Sequence, residues 1–98
     1  MPEIRPSEAL QSHASEIRAI FSSVGLTNLR VFGSVARGED GPTSDIDLLA
    51  DFASNTSAFD VAAARREAMK LVGVPIDIVA TRSLSRRREQ ILAEAVPF

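Results

Sequence analysis

Two short apolar segments, each interrupted by aspartate, most constrain how this chain folds. They read DIDLL at residues 45–49 and PIDIV at residues 75–79. Runs of aliphatic and β-branched residues of this length predict strands. A carboxylate inside such a strand costs free energy unless a polar or charged partner is close. The fold must therefore place these aspartates where a partner reaches them.

Helical patterns flank and separate the strands. Apolar residues at spacings of three and four predict a first helix between Ser7, as its cap, and Gly25. A strand is expected over 29–32, a short helical turn and loop over 34–44, and a second strand over 46–52. Ser57 and Asp60 resemble a capping box at the start of a helix that ends near Gly73. A third strand over 74–80 and a last helix over 84–95 follow.

This order predicts an α/β fold, on the borderline of α+β, with a small mixed three-stranded sheet and packed helices. Residues 34–44 are slightly too few for a parallel crossover, which needs about a dozen residues, so the sheet is expected to be mixed. With 98 residues, the chain is expected to form one domain over 1–98.

Composition narrows the kinds of site that the chain can hold. It has no cysteine and one histidine, His13, so oxygen atoms are the expected metal ligands. A net charge of −2 disfavours an extended nucleic-acid interface. No apolar stretch approaches the roughly 20 residues of a membrane span, and residues 1–6 do not resemble a secretory signal. We therefore expect a cytoplasmic protein.

The aspartates favour a magnesium site. Side chains alternate along a strand, so Asp45 and Asp47 project from one face. Two close carboxylates repel each other unless a cation neutralises them, and oxygen ligands suit Mg²⁺. Asp77, in a neighbouring strand, offers a third carboxylate. Three such groups can hold two ions for an in-line displacement at phosphorus.

A phosphate site is expected where the first strand ends. Gly33 permits close approach of the backbone, and the hydroxyl and N–H groups of the turn at Ser34 can donate to phosphate. Arg37, one turn later, could add a charged hydrogen bond. Alone, each motif is common: Gly-Ser is an ordinary turn, and Asp77 alone would most often face water. Their order and spacing favour the functional interpretation.

The segments VFGSVARGE at 31–39 and SDIDLL at 44–49 resemble the signature of the polymerase-beta-like nucleotidyltransferase superfamily. Within it, the short length, the Asp51-Phe52 pair and the segment ILAEA at 91–95 resemble minimal nucleotidyltransferases of the MNT domain, or MntA antitoxins. This resemblance implies that Asp45 and Asp47 bind two Mg²⁺ ions and that Gly33 and Ser34 grip the triphosphate of ATP. It also implies that Asp77 is the third ligand and helps to deprotonate the attacking hydroxyl.

The resemblance implies a partner as well. Such proteins are usually encoded beside a HEPN-domain ribonuclease toxin, which they neutralise by transferring AMP from ATP to a tyrosine. Two alternatives stay open: a binding antitoxin that acts by occlusion, and a nucleotidyltransferase acting on a small molecule or an RNA end. His13 is expected to be a surface or packing residue. The arginines at 82 and 86–88 are expected to lie on a solvated helix face and receive no role.

Overall fold

The computed structural model describes residues 5–98. The expectation that residues 1–6 are not a secretory signal therefore falls mostly outside the described residues. The helices are α1 (Pro6–Ser12), α2 (Ala14–Ser22), α3 (Gly33–Ala36), α4 (Ala58–Val72) and α5 (Arg88–Glu94). The strands are β1 (Leu26–Phe32), β2 (Ile46–Phe52), β3 (Ile76–Ala80) and β4 (Val96–Pro97), and a 3-10 turn covers Thr81–Ser83. In this part of the chain, no helix is long and apolar enough to cross a membrane.

The strands form one mixed sheet in the order β3-β2-β1-β4. β1 pairs antiparallel with both β2 and β4, whereas β2 and β3 are parallel and are connected through α4. The prediction of an α/β fold with a small mixed sheet is confirmed. The fourth strand was not predicted, because a two-residue strand carries no alternation that a sequence pattern can reveal.

One face of the sheet supports the helices and the other carries the aspartates. Ile46, Leu48 and Ala50 of β2 are fully buried in the core. Helical residues in the same core are Ile17, Phe21, Val61, Ala64 and Ala68. Burial of each large side chain contributes about 1.5–3 kcal/mol. Because side chains alternate along β2, Asp47 and Asp51 project from the opposite face.

The prediction of a single first helix capped by Ser7 was wrong. His13 has non-helical dihedral angles and separates α1 from α2. Pro6 occupies the first turn of α1, and the Ser7 N–H donates to Oδ2 of the buried Asp40 at 2.9 Å. The cap thus comes from a distant loop. α1 contacts α3 and β2, whereas α2 packs on β1, so the break lets the two helices take different directions.

Helix boundaries elsewhere follow local signals. The Ser57 hydroxyl accepts from the Asp60 N–H at 3.4 Å, so Ser57 caps α4, but the reciprocal bond of a capping box from the Ser57 N–H to the Asp60 carboxylate is not formed. Gly73, with φ of 74°, ends α4, as predicted. The last helix is shorter than predicted, because Arg87 has a left-handed φ of 58° and α5 begins only after it. Arg88, the first residue of α5, is exposed, as expected for this arginine cluster.

Candidate active site

Strand pairing places two of the predicted aspartates side by side. Asp47 of β2 and Asp77 of β3 are register partners in the parallel pair. Partners in register project from the same face of a sheet, so both carboxylates lie on the face opposite the helical core. Asp45 directly precedes β2. The adjacency that the sequence indicates is therefore observed, while the roles of the residues stay predictions.

The three aspartates form a negative patch. Asp47 is half-buried, whereas Asp45 and Asp77 are exposed. Burial raises the pKa of Asp47, and the negative charges of Asp77 and then Asp45 raise this pKa further, against a smaller opposing effect of Arg37. The carboxylate of Asp47 thus lacks full compensation by the protein. A cation would supply it.

The donor set fits a hard divalent cation, although the ligands do not converge. Among residues 5–98, no three Asp, Glu, His or Cys side chains form a preformed metal cluster. Asp45, Asp47 and Asp77 offer only oxygen donors, the type that Mg²⁺ prefers. Asp47 and Asp77 are register partners in neighbouring strands, and Asp45 lies two residues before Asp47.

The Gly33–Ser34 turn lies directly against these aspartates. β1 ends at Phe32, the register partner of Asp47, and Gly33 opens the short α3. Gly33 has a φ of 75°, and a Cβ atom there would overlap Oδ2 of Asp47. Glycine is therefore required by both the backbone conformation and the contact. The predicted phosphate turn and the predicted metal ligands form one continuous surface.

A fourth acidic residue joins this surface from the end of α5. The Gly33 N–H donates to Oε1 of Glu94 at 3.0 Å, and Nη1 of Arg37 donates to Oε2 at 3.2 Å. The Glu94 side chain is only 16% exposed. The hydrogen bond from Gly33 and then the interactions with Arg37 hold the pKa of Glu94 below its usual range, against the opposing effect of burial.

Arg37 is held by acidic residues. Its Nε donates to Oε1 of Glu39 at 2.7 Å, while its Nη1 reaches Glu94. These hydrogen bonds, first to Glu39 and then to Glu94, raise the pKa of Arg37. The guanidinium is therefore fixed beside the Gly33 turn. The predicted contact with phosphate stays a prediction.

Comparison with known proteins identifies the family. A model of the nucleotidyltransferase domain matches residues 12–97. The chain belongs to this nucleotidyltransferase family. Protein adenylyltransferase MntA of Thermococcus cleftensis is 34% identical over 88 residues, which cover 89% of this chain and 86% of the relative. The chain is therefore an enzyme that transfers a nucleotidyl group from a nucleotide substrate.

Solved structures support the same assignment. A structure provisionally described as a minimal nucleotidyltransferase has a TM-score of 0.83 and 40% identity, and the match covers 94% of this chain and 95% of the other. A crystal structure of a toxin-antitoxin with AMP-PNP has a TM-score of 0.71 at 20% identity, covering 85% and 69% of the two chains. At that identity, the second likeness shows a shared fold. The resemblance to minimal nucleotidyltransferases is confirmed.

Sequence reasoning missed the contacts of Glu94 in this nucleotidyltransferase. Glu94 lies 61 residues from Gly33 in the chain, and no local pattern links them. The one local signal is a glutamate among small and aliphatic residues at 91–95, inside the helix predicted over 84–95. A half-buried carboxylate in such a helix needs a partner, and here the partners are a backbone N–H and a guanidinium.

The weaker candidates lie outside this surface. His13 is half-buried and its Nδ1 lies 3.0 Å from Oε1 of Glu16. Arg82 and Arg88 donate to the backbone carbonyls of Phe52 and Thr81, and all four arginines at 82 and 86–88 are exposed. The larger surface clefts contain none of the three aspartates of the negative patch. Among the described residues, the predicted site therefore lies on an exposed face of the sheet rather than in one of these clefts.

Proposed function

We propose that this nucleotidyltransferase is the antitoxin of a toxin-antitoxin pair and transfers AMP from ATP to a tyrosine hydroxyl of a HEPN-class toxin. The observation that carries this proposal is the in-register pair of Asp47 and Asp77 next to the Gly33 turn. It combines carboxylates for divalent cations with a backbone turn suited to phosphate. These are the two elements that phosphoryl chemistry needs.

Relatives support the choice of acceptor and partner. The relative from Thermococcus cleftensis, to which 89% of this chain aligns, is named a protein adenylyltransferase. Solved structures that share the fold include a toxin-antitoxin with AMP-PNP. Together with the resemblance of residues 31–39 and 44–49 to the family signature, these likenesses favour ATP as donor and a protein as acceptor.

Each residue has a distinct proposed role. Asp45, Asp47 and Asp77 would hold two Mg²⁺ ions, which when bound neutralise the carboxylates and the phosphate oxygens. Gly33, which has no side chain to block the phosphate, and Ser34, through its N–H and hydroxyl, would bind the triphosphate, with Arg37 beside them. The acceptor oxygen bonds to the α-phosphorus while the bond to the β-phosphate oxygen breaks, so pyrophosphate leaves. Asp77 accepts the proton of the attacking hydroxyl.

The shape of the site suits a large acceptor. β3 is an outer strand of the sheet, and Asp77 on it is exposed. Asp45 at the start of β2 is exposed too. A hydroxyl on the surface of another protein can therefore approach the two carboxylates from the side of the sheet, without entering a cavity.

Intact-mass spectrometry of the partner tests this proposal. We expect that incubation with Mg²⁺, ATP and the toxin encoded in the adjacent reading frame adds the mass of one AMP to the toxin. Asp45→Asn should abolish the addition, because it removes a cation ligand. Asp60→Asn, at an exposed position on α4, is the matched control and should leave transfer unchanged. The absence of any mass increase with the native enzyme would exclude protein adenylylation of this toxin.

The same variants separate the alternatives. If Asp45→Asn and Asp77→Asn still neutralise the toxin, the protein acts by occlusion and transfer is not its means of protection. If labelled AMP appears on a small molecule or an RNA end instead of the toxin, the proposed acceptor is wrong while the nucleotidyl-transfer chemistry stands.

A further inference from the structure

We propose that Glu94 is a positioning residue, which holds the Gly33–Ser34 turn and the Arg37 guanidinium in the arrangement that binds the triphosphate. This inference rests on the proposed function, because it assumes that the turn binds nucleotide. Glu94 itself touches neither nucleotide nor acceptor. It acts through the Gly33–Ser34 turn and the Arg37 guanidinium, which contact the nucleotide in the proposed function.

The two carboxylate oxygens of Glu94 bind two different groups of the site. Oε1 accepts from the Gly33 N–H at 3.0 Å, and Oε2 accepts from Nη1 of Arg37 at 3.2 Å. Hydrogen bonds to a charged acceptor are stronger than neutral ones. One largely buried side chain thus connects the turn to the Arg37 guanidinium, which directly follows α3.

The Gly33 backbone is the part of the site that most needs such a contact. Glycine has more backbone freedom in the unfolded chain than other residues, so fixing its φ at 75° costs more conformational entropy. The glutamate satisfies the Gly33 N–H and orients the peptide before nucleotide arrives. The triphosphate then meets the Ser34 N–H and hydroxyl in a fixed arrangement. Preorganisation of this kind improves the affinity for nucleotide, because less entropy is lost in ordering the turn on binding.

Glu94 is itself fixed in place by the sheet. It is the last residue of α5, and β4 begins only two residues later at Val96. Val96 and Pro97 pair with Val31 and Arg30 of β1. β1 is also the strand that runs directly into Gly33. The donor and the acceptor of the Gly33–Glu94 hydrogen bond are therefore both anchored to β1, which favours a permanent support over a latch that opens for nucleotide.

Equilibrium binding of Mg²⁺ with a non-hydrolysable ATP analogue tests this inference without any acceptor. We expect Glu94→Ala to weaken the affinity about tenfold, the loss expected for one hydrogen bond to a charged group. In the transfer reaction, KM for ATP should rise by a similar factor while kcat changes less than twofold. Glu94→Gln keeps an acceptor for the Gly33 N–H and should recover part of the loss. Glu89→Gln, exposed in the first turn of the same helix, should change nothing.

A double-mutant cycle with Arg37→Ala adds a readout that general destabilisation would not move. The combined loss in Glu94→Ala/Arg37→Ala should be smaller than the sum of the single losses, since both variants disrupt one network. If Glu94→Ala does not fold, as judged by circular dichroism, the isosteric Glu94→Gln variant decides the question. It should then bind the analogue less tightly than the native protein.

Three results would overturn or limit the inference. Unchanged affinity in the Glu94 variants would show that the turn needs no support from α5. Tighter binding would show that the carboxylate competes with phosphate for the Gly33 N–H, which is the opposite of positioning. Failure of the native protein to bind the analogue at all would instead refute the proposed function, so the two failures are distinguishable.

Discussion

Oδ2 of Asp47 occupies the space in which a side chain at Gly33 would begin. A metal-ligand candidate and the phosphate turn are thus in direct contact, and the size of residue 33 sets their separation. Gly33→Ala should destabilise the fold by roughly 1–3 kcal/mol, since it combines an unfavourable positive φ with this overlap. Urea unfolding measures the loss, and AMP transfer should fall with it.

Gly38→Ala provides the matched control for that substitution. Gly38 has a similar φ of 72°, yet a Cβ atom there meets nothing within 4 Å. Its cost should be the conformational penalty alone, about 1 kcal/mol. Equal losses at the two positions would show that the contact with Asp47 is unimportant.

Asp47→Asn should stabilise the metal-free protein while it abolishes transfer. Burial and the charges of Asp77 and Asp45 raise the pKa of Asp47, so its ionised form is disfavoured in the fold. The amide removes that repulsion, and the midpoint of thermal unfolding at pH 7 without metal should rise by a few degrees. Added Mg²⁺ should raise the midpoint of the native protein but not that of the variant. A lower midpoint for metal-free Asp47→Asn would contradict this account of the patch.

Asp40 should control the acid stability of the fold. Burial tends to raise its pKa, but hydrogen bonds from Ser7 and Arg5 outweigh this effect and lower the pKa below the ordinary value of 3.8. Because the folded pKa is the lower one, the stabilisation is complete above pH 3.8 and is lost as the pH falls towards the folded value. Asp40→Asn should cost about 1–2 kcal/mol at pH 7 and flatten this dependence.

Urea midpoints measured between pH 7 and pH 3 check the Asp40 prediction. Asp60→Asn is the control, because Asp60 is exposed and its carboxylate takes no part in the Ser57 cap. That variant keeps the contacts of Asp40 with Arg5 and Ser7, so it should still lose stability in acid in the way that Asp40 causes. Parallel curves for the native protein and Asp40→Asn would be incompatible with the proposed role of the buried carboxylate.

Chelation should separate catalysis from folding. The core is built from apolar side chains on the helical face of the sheet, and no buried contact there needs a cation. EDTA should therefore abolish AMP transfer while the far-ultraviolet circular dichroism spectrum stays the same. Mg²⁺ added in excess should restore transfer. Full activity in EDTA would rule out the proposed metal dependence.

Sequence patterns predicted this protein best where the deciding interactions are local. The bounds of β2 followed from its run of apolar residues, and those of α4 followed from Ser57 and Gly73. The adjacency of Asp47 and Asp77 followed from their places in two neighbouring strands. The break at His13 was not predicted, and neither was the cap of α1, which comes from Asp40 in another loop. Glu94 was missed for the same reason: its partners are distant in sequence and the contacts depend on the packing of α5.

The sequence separations within the site imply an order of assembly. Gly33 directly follows β1, which pairs antiparallel with the strand that carries Asp47, whereas Glu94 reaches Gly33 across 61 residues. Closing a long loop costs more entropy, so contacts between distant residues tend to form later. We expect the β1–β2 pair to be present in the folding transition state and the Glu94 contact to be absent from it. Substitutions at Glu94 should then speed unfolding with little effect on the refolding rate, so Asp47 reaches the Gly33 turn before that turn acquires its support from α5.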